Sequence, residues 1–168
     1  FSSSTYVDIP DNGDYEFLHG DCFSIIAWVR STHDNNEERT IVGRKVTGGK
    51  ACWWLGVSNL EKPTFVLMDQ FGEDTIIYGD KAIDDNSWHQ IVGVWDGKNN
   101  KALIYVDGIK KREGVKEFYY DFNRVSELVP VNIGYFNSGS KHNFVGDIDE
   151  VAIFKKALSS TEIADFYN

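Results

Sequence analysis

Residues 87–110 constrain this chain more than any other stretch. They hold two apolar runs, each closed by an Asp-Gly pair. Ile91, Gly93 and Trp95 alternate with Val92 and Val94 before Asp96-Gly97. Ala102, Ile104 and Val106 alternate with Leu103 and Tyr105 before Asp107-Gly108. Alternation bounded by Asp-Gly is a strong hairpin signal, because tight hairpin turns need residues that tolerate positive φ. Both faces of both runs are largely apolar, and a strand apolar on two faces is covered on two faces. The segment therefore predicts a hairpin in the middle of a layered β structure.

The rest of the chain repeats the pattern. Residues 6–9, 23–30, 40–44, 53–57, 64–68, 75–78, 109–115, 129–135 and 144–154 read as strands. Turn chemistry such as Gly48-Gly49, Asn59 to Pro63 and Gly72 to Asp74 separates them. Within 23–30, Phe23, Ile25, Ala27 and Val29 share one face, and Ile26 and Trp28 lie on the other. Residues 116–128 are rich in Tyr and Phe without a period and read as a long loop. A helix is expected only at the end, where Ser159 and Glu162 have capping-box spacing and Ile163, Ala164, Phe166 and Tyr167 form one apolar face. The sum, roughly ten or eleven short strands and one closing helix, predicts an all-β fold: a two-sheet antiparallel β-sandwich (jelly roll) with a short C-terminal helix.

The 168 residues fit one domain spanning 1–168. The chain opens on Phe1 without a basic-apolar leader, so it reads as a module excised from a larger protein, with any targeting signal out of view. Five Trp, eight Tyr and eleven Phe can build a large core without disulfides. A formal charge of −9 argues against nucleic acid and anionic membranes as partners, since both require a basic patch. No apolar run reaches the length of a bilayer span, so no membrane insertion is expected. Cys22 and Cys52 show no CxxC or zinc spacing; a disulfide and two buried thiols both stay open.

Several blocks, taken in order, carry a resemblance. They are Phe1 with Tyr6-Val7-Asp8-Ile9-Pro10, then Phe23 to Val29, Trp88 to Gly97, Leu103 to Gly108 and Asn132-Ile133-Gly134. Phe144 to Phe154 and Ala157-Leu158-Ser159 with Glu162-Ile163 complete the series. In order and spacing the chain resembles the laminin-G-like, concanavalin A-like lectin/glucanase superfamily, the LamG-like jelly rolls related to pentraxins, over almost its whole length. The resemblance implies two stacked antiparallel sheets, a secreted or cell-surface setting, and use as a carbohydrate-binding or adhesion module. It also implies a structural Ca²⁺. In that family the carboxylate of the I-D-E-V block often ligates the ion. This maps to Asp149, with carbonyls from Ser2 and Ser3 and from Gly20 and Asp21. One departure is that the family often has Asp-Gly after its first Phe, where this chain has Ser2-Ser3. Hard oxygens of this kind suit Ca²⁺, which takes six to eight of them.

The residues themselves supply a carbohydrate reading. Sugars stack their C–H faces on aromatic rings and reach polar groups with their hydroxyls, a mixture typical of ligand pockets. Trp53 and Trp54 are adjacent and so face opposite ways on a strand. Trp53 groups with Leu55 and Val57 as core, leaving Trp54 as the expected ligand ring. Tyr78, Phe71 and Tyr135 are further candidates, with His33, Asp34, Asn137 and His142 in polar loops as a rim. Trp28, Trp88 and Trp95 read as core or strand-end packing, and His89 as a packed histidine. Glucanases of this superfamily carry an E-x-D-x-x-E strand. The nearest run here, Asp147-Ile148-Asp149-Glu150, lacks both outer Glu residues, and alternation would set Glu150 opposite Asp147 and Asp149. The expectation is a non-catalytic carbohydrate-binding module of a secreted or cell-surface protein. The alternative is a protein-interaction or adhesion domain.

Overall fold

The computed structural model describes residues 1–2, 5–17, 20–32, 37–45, 52–69, 71–115, 129–135 and 142–168. The strands among them are β1 (Val7–Ile9), β2 (Cys22–Arg30), β3 (Arg39–Lys45), β4 (Cys52–Val57), β5 (Pro63–Met68) and β6 (Asp74–Tyr78). They continue with β7 (His89–Asp96), β8 (Lys101–Val106), β9 (Ile109–Val115), β10 (Val131–Ile133) and β11 (Asp147–Phe154), and the helix is α1 (Ser160–Tyr167). One sheet runs β1-β10-β3-β4-β5-β6 and the other β11-β2-β7-β8-β9. Every strand-to-strand ladder among the described residues is antiparallel. This is the predicted sandwich with its terminal helix. The expected loop at 116–128 and the Gly48-Gly49 turn lie outside the described residues.

The central hairpin forms as its sequence demands. Asp96 pairs with Lys101, and Asp107 (φ 53°) and Gly108 (φ 71°) turn β8 into β9. Two consecutive left-handed residues are the signature of a type I′ turn, which matches the twist of the strands it joins. The inner faces of both sheets interdigitate as one core. Phe23, Ile25, Ala27 and Val29 of β2 and Ile91 and Trp95 of β7 meet Trp53, Leu55, Phe65 and Leu67 from the opposite sheet. Full burial of a side chain such as Phe65 is worth about 1.5–3 kcal/mol. Phe17 stacks on Phe23 with ring centroids 4.2 Å apart.

The second apolar face of the five-stranded sheet is covered by the C-terminal segment. Ile26, Val92, Val94 and Tyr105 pack under Leu158 and Ile163. Ser24 staples the approach to α1, donating to the Lys156 carbonyl at 2.8 Å and accepting from the Leu158 N–H at 3.0 Å. The expected capping box is present, with Ser159 accepting from the Glu162 N–H and Glu162 accepting in return from Ser159.

The cysteines settle as free thiols. Cys22 shares the outward face of β2 with Ser24 and Ile26, and Cys52 shares the outward face of β4 with Trp54, packed beside Val66 of β5. The thickness of the sandwich, about 10 Å, stands between faces that point apart, whereas a disulfide needs Cα atoms within about 7 Å. Burial pushes the Cys52 thiol up to about 12.

Candidate functional site

The cross-strand register of β11, β2 and β7 builds a cleft on the outward face of the five-stranded sheet. Asp149 of β11 lies opposite Trp28 of β2, which lies opposite Gln90 of β7. One step further out, Asp147 lies opposite Arg30, and Trp88 follows by the same alternation. The cleft, about 350 Å³, is lined by Trp28, Trp88, Asp149 and Glu150. It opens where α1 ends. The helix is eight residues long, about 12 Å, and its last turn reaches only as far as Trp28. Tyr167 stacks on that indole with centroids 5.6 Å apart and planes 9° from parallel.

Trp88 is held rather than merely exposed. Its flanking loop is anchored by Asn86 N–H to the Ser31 carbonyl at 3.1 Å and by Ser87 N–H to Asp85 at 2.8 Å. Arg30 lies over the indole, 5.2 Å from its centroid, while donating from Nε and Nη2 to Asp147 at 2.9 and 2.7 Å. Trp88 is nonetheless 40% exposed, and Trp28 is half-buried. Of the expected core or strand-end packing, neither of these two rings takes the core alternative, whereas Trp95, 2% exposed, does belong to the core.

The carboxylates are turned into the cleft by a bulge. Asp149 pairs with Trp28 but Ala152 pairs with Ile26, so β11 carries one extra residue. Glu150 takes φ 48°, and its N–H donates to Asp149 Oδ1 at 2.8 Å. Bulges re-aim side chains and recur beside functional sites. The expected alternation, with Glu150 set against Asp147 and Asp149, is overturned here: Asp149 and Glu150 line the cleft together and Asp147 pairs with Arg30. Beneath the indole row, Gln90 is fully buried, and its Oε1 and Nε2 find no partner among the described residues. A buried amide left unsatisfied costs about 1–3 kcal/mol.

His89, next to Trp88, is a packed histidine as expected. Its Nδ1 lies 2.9 Å from Asp107 Oδ2 and its Nε2 3.2 Å from Asp85 Oδ1, so both ring nitrogens donate when the ring is charged. Burial pulls its pKa down. Hydrogen bonds and charge from Asp107 and Asp85 together more than offset this and hold it above the ordinary 6.5. The stabilisation is therefore complete below 6.5 and is lost as pH rises through the higher folded value. Melting temperature is expected to fall through this group as pH rises above about 6.5, and His89→Gln should flatten that fall. Parallel melting curves for both proteins across the range would contradict the assignment.

The residues expected from the sequence are scattered. Trp54 is 8% exposed, packed with Cys52 and Val66 on the outward face of the six-stranded sheet. Its ring fills the space a Cβ on Gly56 would occupy, so it is a packing residue, not a platform. Phe71 is exposed in the β5–β6 turn, its N–H donating to Asp69. Tyr78, at the far end of β6, lines a different cavity. Tyr135 pairs with Tyr6, centroids 5.2 Å apart. His142 bonds through Nδ1 with the Glu38 carbonyl. His33, Asp34 and Asn137 lie outside the described residues, as does Ser3 of the metal set.

The expected metal ligands do not converge either. Gly20 and Asp21 precede β2 and sit against Gly97. Asp149 pairs with Trp28, near the other end of that strand. Seven residues of extended chain separate Asp21 from Trp28, about 20 Å. The Ser2 carbonyl accepts from Thr5. The terminal segment and β11 are tied directly, by Phe1 nitrogen to the Gly146 carbonyl at 2.6 Å and Gly146 N–H to the Phe1 carbonyl at 3.2 Å. Gly20 and Asp21 therefore do not fit one Ca²⁺ together with Asp149. Among the described residues no three His, Cys, Asp or Glu side chains gather for a metal.

Comparison with known proteins agrees with the architecture. The family model for the concanavalin A-like lectin/glucanases superfamily matches residues 1–164. The non-toxic nonhemagglutinin type E of Clostridium botulinum is 26% identical over 148 residues, covering 86% of this chain but 11% of that protein. The CBM40 of the Ruminococcus gnavus IT-sialidase, solved with α2,3-sialyllactose, superposes with a TM-score of 0.73 at 14% identity, over 98% of this chain and 97% of that one. The binding domain of botulinum neurotoxin serotype G gives 0.71 at 20% identity, over 99% of this chain and 40% of that one. The chain thus spans a small part of the first relative and less than half of the neurotoxin domain. No helix among the described residues is long and apolar enough to cross a membrane.

Proposed function

This chain belongs to the concanavalin A-like lectin/glucanases superfamily, and from that premise we propose that it is a non-catalytic glycan-binding module of a longer secreted or cell-surface protein. The observation that carries the reading is the cleft in which two indoles face two carboxylates. An indole offers a flat apolar surface to the C–H face of a pyranose, and Asp149 and Glu150 accept from its hydroxyls. The ligand is a neutral oligosaccharide. Asp149 and Glu150 add negative charge, and the nearest cation, Arg30, is already committed to Asp147. An acidic sugar would meet repulsion without an available counter-charge.

Catalysis is not part of the reading. Retaining hydrolysis sets two carboxyl groups across the scissile bond, one held protonated by an apolar pocket. Asp149 and Glu150 are consecutive on one bulge and both exposed.

A glycan array probed with this chain, followed by tryptophan-fluorescence titration of the hits, tests the proposal. Binding to neutral oligosaccharides with a change in indole emission is expected; an array without neutral hits would end it. The reading runs through no metal. Melts in EDTA and in excess CaCl₂ are expected to coincide, since a ligand binding only the folded state at a hundredfold excess over Kd would add about 2.7 kcal/mol. An upward shift in CaCl₂ that Asp149→Ala removes would return Asp149 to a metal site.

A further inference from the structure

The two edge strands β6 and β9 belong to different sheets, yet they close against each other at one side of the sandwich. A Cβ on Gly114 of β9 would come within 2.5 Å of Ile77 Cδ1, so the glycine is what lets the β6 side chain seat there. Beside this seam lies a second cavity of about 300 Å³, lined among others by Asn59, Leu60, Lys62, Tyr78 and Arg112. It is far from the tryptophan cleft. That cleft lies on β11 and β2, at the opposite edge of the five-stranded sheet from β9, about 19 Å away at four strand spacings.

Its chemistry is the reverse of the cleft's. Two cations, Lys62 and Arg112, face the cavity, and no carboxylate lines it among the described residues. Neither side-chain head group has an ion-pair partner among the described residues, although the chain carries a formal charge of −9. The wall that carries Lys62 is rigid. Ser58 Oγ accepts from Leu60 N–H at 3.2 Å and from Lys62 N–H at 3.3 Å, and Ser58 N–H donates to the Lys62 carbonyl at 2.8 Å. Glu61, in the same turn at φ 59°, is locked by a buried ion pair to Arg39. On the other side, Gly79 N–H donates to the Pro63 carbonyl at 2.7 Å and fixes the end of β6 beside Tyr78. Lys62 is thus held at its root, and the heads of both cations are left without an ion pair among the described residues.

We infer that this seam is an anion site for a small acidic sugar, bound through a carboxylate or a sulfate. Arg112 presents a planar fork that suits either oxyanion, and Lys62 adds a point charge. The Tyr78 ring and the exposed Leu60 supply the apolar face for the sugar ring, and Asn59 supplies a hydroxyl partner. The cavity is at the small end of ligand pockets, which fits a mono- or disaccharide. The inference does not rest on the tryptophan cleft, which has the opposite electrostatic preference.

The test is calorimetric titration at fixed ionic strength with a uronate disaccharide, a sulfated disaccharide and their uncharged counterpart. Lys62→Ala, Arg112→Ala and Arg112→Lys are each introduced into the Trp88→Ala chain, in which neutral-sugar binding at the cleft is weakened, and compared with Trp88→Ala alone, each checked for a circular-dichroism melt matching that background. Arg112→Lys keeps the charge and guards against a folding defect in the alanine variant. At least one charged disaccharide should bind about tenfold or more tighter than the uncharged one. That preference should be lost when Lys62→Ala or Arg112→Ala is added and reduced when Arg112→Lys is added. Preference for the uronate alone identifies a carboxylate ligand, and for the sulfated sugar alone a sulfate. The inference is overturned if neither charged sugar outbinds the uncharged one, or if the preference survives both alanine variants.

Discussion

Replacing Trp88 with alanine is expected to weaken neutral-oligosaccharide binding by about 2 kcal/mol, roughly thirtyfold, the scale of an aromatic anchor at the centre of a contact. Its cost to stability should stay below about 1 kcal/mol, because a part-exposed ring on a surface loop gives up mainly its cation–π contact with Arg30. The two readouts separate a binding residue from a packing residue, which would show the opposite ratio. Trp88→Phe should recover part of the affinity, since a smaller ring still offers a stacking face. Glu150→Gln should produce an intermediate loss through a weaker hydroxyl acceptor. Phe71→Ala is the control. That ring is more exposed than Trp88 but sits in the β5–β6 turn of the other sheet, and its removal should leave affinity unchanged. Titrations in which Trp88→Ala binds like wild type would sink the site.

Arg39→Ala should have the largest effect on stability, about 3–5 kcal/mol, because it strands a buried carboxylate. The Arg39 and Glu61 side chains are 3% and 6% exposed and form an ion pair. Arg39 also donates to Ser31 Oγ at 2.8 Å and lies 5.8 Å from the Phe144 ring centroid. One guanidinium therefore ties the start of β3 to the β4–β5 turn, the end of β2 and the segment leading to β11. Glu61→Gln added to Arg39→Ala should restore a substantial part of the loss, since the cost of a half-removed buried pair lies mostly in the orphaned charge. Urea melts of the single and double variants decide this. A single variant that loses under about 1 kcal/mol would show that the pair is solvated and that the turn is held by its Ser58 hydrogen bonds alone.

The functional sites were much less legible than the fold. Trp28 could have been found from its strand. It alternates with Ile26 on the outward face, and the same parity places Arg30 beside it. What hid it was the reasonable default that a large ring in an aromatic-rich sandwich is buried. Trp54 shows the default working in the other direction. Alternation correctly turned it away from Trp53, but the outward face of its sheet is itself packed, so outward did not mean exposed. Glu150 was unreadable, because the bulge that re-aims it depends on how β11 registers against β2 and not on the run Asp147-Ile148-Asp149-Glu150 alone.

Local chemistry decided much of this protein before any tertiary contact. Asp107-Gly108 dictated the tight turn, the period of β2 separated core face from outer face, and Ser159 with Glu162 capped the helix. These depend on neighbours a few residues apart, where dihedral preference and alternation act directly. The tertiary structure alone decided which surfaces stayed open. The tryptophan cleft joins β2 to β11, more than a hundred residues later, and exists because α1 stops at Trp28. The seam of Lys62 and Arg112 exists because the edges of two sheets meet. Burial is a property of what the fold places overhead, and a residue's own neighbours in sequence do not carry that information.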